Sequence, residues 1–178
     1  MPDLVVHLAH GASAGAASMR PHVRGLADRG VEAHAVQLPR GSTERAIPAY
    51  RNAVPNPAWS VIGGHSFGGR VASLLAADEP CAGLVLLSYP LHAPGRAKSW
   101  RDRTRHWPKI VCPVLLISGD RDPFARIELL REAVGQLSSH ELVVYEGIRH
   151  GIGPRLDDAL DCIVDFAKGL ARPVHSGA

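Results

Sequence analysis

The chain has 178 residues, 46% of them hydrophobic and 21% charged, a balance that supports one globular domain with its own core and excludes a disordered or fibrous protein. A net charge of +3 with only 5% aromatic residues argues against a nucleic-acid binder. The three cysteines, Cys81, Cys112 and Cys162, lack C-x-x-C spacing and read as buried free thiols of a reducing cytosol; no apolar run is long enough to span a bilayer and no targeting segment is visible, so a cytoplasmic protein without membrane partners is expected.

In chain order, Leu4–Ala9 is the first apolar run, followed by the turn His10-Gly11-Ala12-Ser13-Ala14-Gly15. Met19, Val23 and Leu26 then share a helical face, with Gly30 placed to stop the helix. Val31–Leu38 alternates more than the other runs, as suits an edge strand. Trp59–Gly63 leads through Gly64-His65-Ser66-Phe67-Gly68 into Val71–Ala77, a helix apolar nearly all round. Gly83–Leu87 is the fourth strand and Val114–Ser118 the fifth. Phe124, Ile127, Leu130, Val134 and Leu137 follow helical spacing, Leu142–Tyr145 is the sixth strand, and the span from Leu156 to Leu170 is a clean amphipathic helix. Strands alternating with helices predict an α/β fold, a parallel sheet covered on both faces. The expected domain covers residues 1–171, with 172–178 a flexible C-terminal tail.

Gly64 to Gly68 matches G-x-S-x-G in the strand–turn–helix setting that this motif needs. Small residues at both ends let strand and helix pass, and Ser66 then projects at the carboxyl end of the sheet, near the positive end of the next helix. A glycine-rich phosphate loop would instead require G-x-G-x-x-G or G-x-x-x-x-G-K-[ST], and neither is present. A serine hydroxyl needs a base, and the base needs an orienting acid. Both follow in order on later strand ends: Gly119-Asp120-Arg121-Asp122-Pro123 after the fifth strand and Glu146-Gly147-Ile148-Arg149-His150-Gly151 after the sixth. Of ten histidines, His150 has the right order and placement; His92 and His106 share the rim but precede the acid. Asp122 is preferred as the acid because the loop has cleared the strand there, although Asp-Pro before a helical pattern is also an N-cap signature; Asp120 is the alternative. Backbone N–H groups of Phe67 and Ala12 are expected to form the oxyanion hole.

The elbow, the HG loop, the GDRDP segment and the late histidine together resemble the α/β-hydrolase superfamily. Three stretches narrow the resemblance: Gly68-Gly69-Arg70-Val71-Ala72-Ser73, Ser88-Tyr89-Pro90-Leu91-His92-Ala93-Pro94-Gly95, and Asp120-Arg121-Asp122-Pro123-Phe124. They are similar to a compact family related to dienelactone hydrolases, which includes bacterial hydrolases, a testis-expressed vertebrate protein and a subunit of the NSL histone-acetyltransferase complex. The resemblance implies Ser66, Asp122 and His150 as a catalytic triad, no cofactor, and a six-stranded sheet in the order 2-1-3-4-5-6 without a cap domain. The chain departs from dienelactone hydrolases themselves, which carry a cysteine nucleophile where this chain has Ser66. The implied activity is hydrolysis of a small carboxylic ester or thioester. Acyl transfer would use the same residues, whereas a silent protein-binding module would need none of them.

The interval from Tyr89 to Ile110 carries Arg96, Lys98, Arg101, Arg103, Arg105 and Lys109 against the single acid Asp102. It reads either as a solvated helical connector or as a patch that attracts anionic substrates. His92, Arg96 and Trp100 are its candidate substrate contacts, with Trp100 and Trp107 able to pin the connector to the core or to line the pocket. A chain without a cap is expected to have an open, shallow site that suits small or extended esters.

Overall fold

The computed structural model describes residues 4–171. The 172–178 tail expected from the sequence lies outside them.

The continuous apolar runs become a six-stranded parallel sheet, ordered β2-β1-β3-β4-β5-β6. The strands are β1 (Val5–Ala9), β2 (Ala33–Val36), β3 (Ser60–His65), β4 (Gly83–Leu87), β5 (Val114–Gly119) and β6 (His140–Tyr145). Register such as Val61↔Gly83 and Leu84↔Val114 brings the carboxyl ends of β1, β3, β4, β5 and β6 to one rim. Because successive side chains point to opposite faces, each central strand supplies two cores. Ile62, Leu84, Leu86 and Leu116 pack into one, while Val61, Val85, Leu87 and Leu115 pack into the other.

The helices are α1 (Arg20–Ala27), α2 (Thr43–Ala53), α3 (Phe67–Asp78), α4 (Trp100–Thr104), α5 (Ile127–Ala133) and α6 (Leu156–Ala171). Leu26 of α1 and Leu160 and Ile163 of α6 seal the second core; Tyr50 of α2, Val71 of α3 and Leu130 of α5 seal the first. Between β4 and β5 the chain inserts only α4 and two short 3-10 turns, so among the described residues no cap domain covers the rim. No described helix is long and apolar enough to cross a membrane.

The structure differs from the sequence expectation at two helices. Helix α2 has no counterpart there, since its sequence is polar, carries Pro48 inside the helix and buries only Ala46 and Tyr50. Its anchor is Tyr50: the hydroxyl lies 2.7 Å from the carbonyl oxygens of His7 and Gly63 and accepts the Gly63 N–H at 2.8 Å. One fully buried phenol therefore satisfies backbone groups at the β1–β3 seam. Helix α5 begins at Ile127 rather than at Phe124, with Arg126 as its N-cap, so Asp122 caps no helix and its carboxylate is free for another task.

Candidate active site

The elbow is built by close backbone approach. A Cβ on Gly64 would sit 2.3 Å from the Ala9 carbonyl oxygen, and one on Gly68 would sit 2.4 Å from the same atom. Only glycine at both positions lets β3 and α3 meet the end of β1. Between them Ser66 adopts φ 51°, ψ −113°, a strained conformation held by its N–H donating to Leu87 O at 2.8 Å and by Arg70 N–H donating to Ser66 O at 3.0 Å. Such strain costs about 1–3 kcal/mol and persists only where the surroundings over-determine it. Ser66 is the N-cap of α3, so its side chain stands at the helix's positive end.

The three residues expected to act together converge from three strand ends. Ser66 Oγ is 2.9 Å from His150 Nε2, and His150 Nδ1 is 2.8 Å from Asp122 Oδ2. The Asp122 side chain is completely buried, while that of His150 retains 22% exposure. Asp122 Oδ1 accepts the Phe124 N–H at 2.8 Å, so both carboxylate oxygens are engaged and the side chain has one orientation. Asp120, the alternative acid, faces elsewhere: its Oδ1 accepts the Gly147 N–H at 2.7 Å and ties the β5 loop to the β6 loop. The imidazole of His150 lies between the Phe124 ring, at 4.5 Å, and the His65 ring, at 5.2 Å. Burial first, then its neighbours His150 and His22, pulls His65 down to about 4, so the His65 ring is uncharged at neutral pH.

A cleft of about 450 Å³ opens onto Ser66. Ala12 and Phe67 line it on one side. Phe67 is the first residue of α3, so its N–H has no partner within the helix and is available at the cleft. Of the connector residues proposed as substrate contacts, only His92 lines the cleft, and both its ring nitrogens are engaged. His92 Nε2 accepts the Arg126 N–H at 3.1 Å, which leaves Nδ1 to donate to Ala93 O at 2.9 Å. Its own N–H donates to Phe124 O at 2.9 Å, so His92 straps the β4 loop to the loop that carries Asp122. Arg96 is exposed in a separate shallow depression beside Lys98 and Arg126. Trp100 is buried in the core with the Arg101 guanidinium 4.4 Å above its ring, and Trp107 is fully buried against Tyr89. Both tryptophans therefore pin the connector. His106 is held by Ser73 Oγ at 2.8 Å, away from Ser66.

Sequence reasoning missed the far wall of the cleft. Gly41 to Glu44 at the start of α2, Arg70 of α3 and Arg103 of α4 all line it. Arg70 carried a usable signal, since it lies four residues after Ser66 on one helical face. Burial, then the charge of Arg103, holds its guanidinium below the ordinary arginine range. Arg103 is fixed through its backbone, whose carbonyl accepts the Tyr89 hydroxyl at 2.7 Å.

A parallel sheet with a strained serine between β3 and α3, facing a histidine and a buried carboxylate from later strand ends, defines the α/β-hydrolase class of architecture. A family model described as alpha/beta hydrolase domain matches residues 2–162, and the chain belongs to that family. Solved structures agree at the level of fold. The monoacylglycerol lipase of Paleococcus ferrophilus superposes with a TM-score of 0.79 at 17% identity, over 93% of this chain and 94% of the lipase. A predicted CIB-like hydrolase from Thermoplasma acidophilum gives 0.75 at 20% identity, over 93% and 86%. Est1E from Butyrivibrio proteoclasticus, solved with ferulic acid bound, gives 0.75 at 18% identity, over 96% and 90%.

Proposed function

We propose that the protein is a serine hydrolase that cleaves a carboxylic ester or thioester through an acyl-enzyme on Ser66. The observation that carries this reading is the continuous hydrogen-bonded line from Ser66 Oγ through both nitrogens of His150 to Asp122 Oδ2. In this reading His150 Nε2 takes the Ser66 proton as Oγ attacks the carbonyl carbon. Asp122, unable to turn because Phe124 N–H holds its other oxygen, keeps the Nδ1–H tautomer and stabilises the imidazolium that forms. The N–H groups of Ala12 and Phe67 receive the charge that develops on the carbonyl oxygen. Collapse expels the alcohol or thiol, which leaves with the proton from His150. Water, deprotonated by the same imidazole, then releases the acid and restores Ser66.

The family is one of hydrolases, and the lipase among the structural neighbours is compatible with ester chemistry on this fold. Within the family, the stretches from Gly68 to Ser73 and from Ser88 to Gly95 support membership of the compact dienelactone-hydrolase-related group. Acyl transfer would use the same steps with another acceptor. Labelling with a fluorophosphonate probe tests the reading: the wild type is expected to be modified at Ser66, and Ser66→Ala is expected to be silent. A folded wild-type protein that takes no label and hydrolyses no 4-nitrophenyl ester would refute it.

A further inference from the structure

Two arginines face the same cleft as Ser66 from different helices, Arg70 from α3 and Arg103 from α4. Neither guanidinium takes part in an ion pair or a hydrogen bond among the described residues. The Nε of Arg70 is fully buried and has no partner. Leaving such groups unpaired is costly, and a protein cleft that retains them commonly does so for a charged guest. The other half-buried arginines among the described residues are ion-paired: Arg29 is shared between Asp157 and Asp161, and Arg51 pairs with Glu79. Among the described residues, Glu44 is the single acid lining the cleft. It is exposed and lies beyond ion-pair distance of both arginines, so the lining keeps a net positive charge.

We infer that Arg70 and Arg103 form an anion subsite, which makes the substrate an ester or thioester bearing a carboxylate or phosphate group within the cleft. The inference rests on the Ser66 chemistry proposed above and names its substrate class. A planar guanidinium offers paired N–H donors that match either anion, and two of them from different helices can hold its several oxygens together. The depression of Arg70 by burial and by the Arg103 charge is relieved when such an anion binds. Position supports the assignment as well. Arg70 stands one turn along α3 from Ser66, so an anion held there lies a few bonds from a carbonyl at Oγ. The cleft volume, about 450 Å³, suits a short substrate of this kind. The basic connector thus acts through one side chain: Arg103 enters the cleft, while Arg96 and Lys98 line a different depression.

The test compares kcat/KM for matched pairs of esters. Mono-4-nitrophenyl adipate against its methyl ester places the anion on the acyl side, and 4-acetoxybenzoate against its methyl ester places it on the alcohol side. The wild type is expected to favour the charged member of at least one pair by about tenfold or more, the scale of a charge-assisted contact. Arg70→Gln and Arg103→Gln should each lower that ratio by about fivefold or more. Arg103→Glu should bring it below one, and Lys98→Gln should leave it where it was. Fluorophosphonate labelling of each variant at Ser66 verifies that the fold and the nucleophile survive the substitution. If the wild type labels and turns over neutral esters, yet the ratio stays near one or ignores both arginine variants, the subsite is refuted and the Ser66 chemistry stands. If the wild type neither labels nor hydrolyses any ester, both readings fall together.

Discussion

Replacing Asp122 by asparagine separates the two tasks of this side chain. Asparagine keeps an oxygen for the Phe124 N–H, now accepted at 2.8 Å, so the loop after β5 should hold its shape. The other position, 2.8 Å from His150 Nδ1, becomes an amide NH₂. Nδ1 must then accept rather than donate, which moves the ring proton to Nε2 and aims it at Ser66 Oγ. In that tautomer the imidazole cannot receive the serine proton. The expected loss in kcat is about 10⁴, or about 5.5 kcal/mol of transition-state stabilisation. Steady-state hydrolysis of 4-nitrophenyl butyrate reads it directly, with the rate of fluorophosphonate labelling falling in parallel. Thermal melting should show Asp122→Asn folded, because an amide of the same size and shape replaces the fully buried carboxylate. Retention of activity within tenfold of wild type, with Asp120→Asn instead inactive, would overturn the assignment of the acid.

Two further outcomes concern buried groups outside the Ser66–His150–Asp122 line. Tyr50→Phe removes the hydroxyl that accepts the Gly63 N–H and leaves that donor buried; a loss of about 2 kcal/mol is expected, read as a melting temperature lower by about 4–8 °C. An unchanged melting temperature would mean that the phenol does not anchor α2. Acid stability concerns His7, His65 and His106, all drawn down to about 4, chiefly by burial, against an ordinary value of 6.5. Between pH 6.5 and 4 the unfolded chain binds these protons and the folded chain does not, so stability is intact above 6.5 and is lost as pH falls toward 4. Urea midpoints at pH 7, 5.5 and 4.5 should decline in that order; a flat series contradicts the burial argument.

The strands were readable because a parallel sheet buried on both faces leaves uninterrupted apolar runs, and β4 and β5 are the plainest cases. The elbow was readable because Gly64 and Gly68 are demanded by contact with the Ala9 carbonyl, a constraint that survives in sequence as fixed spacing. Strand order pointed to the loops that bear Asp122 and His150 but left Asp120 open as the acid; the structure puts Asp122 against His150 and turns Asp120 to the Gly147 N–H. Helix α2 was not readable: with only Ala46 and Tyr50 buried, it is held by a side-chain hydroxyl reaching backbone, which leaves no periodic trace. The cleft wall at Gly41 to Glu44 went unseen with it. Arg103 was hidden among five neighbouring cations, because α4 spans only five residues and shows no periodicity that could tell an inward side chain from an outward one. The same brevity made Trp100 look like a pocket residue when its place is the core.

The connector that carries Arg103 is fastened where the Tyr89 hydroxyl meets the Arg103 carbonyl and where the ring of Trp107 is fully buried. In the proposed reading, guest recognition is divided between this short segment and Arg70, which stands on the helix that Ser66 caps. One half of that recognition can therefore change by exchange of a short segment, while Arg70 is inherited together with Ser66.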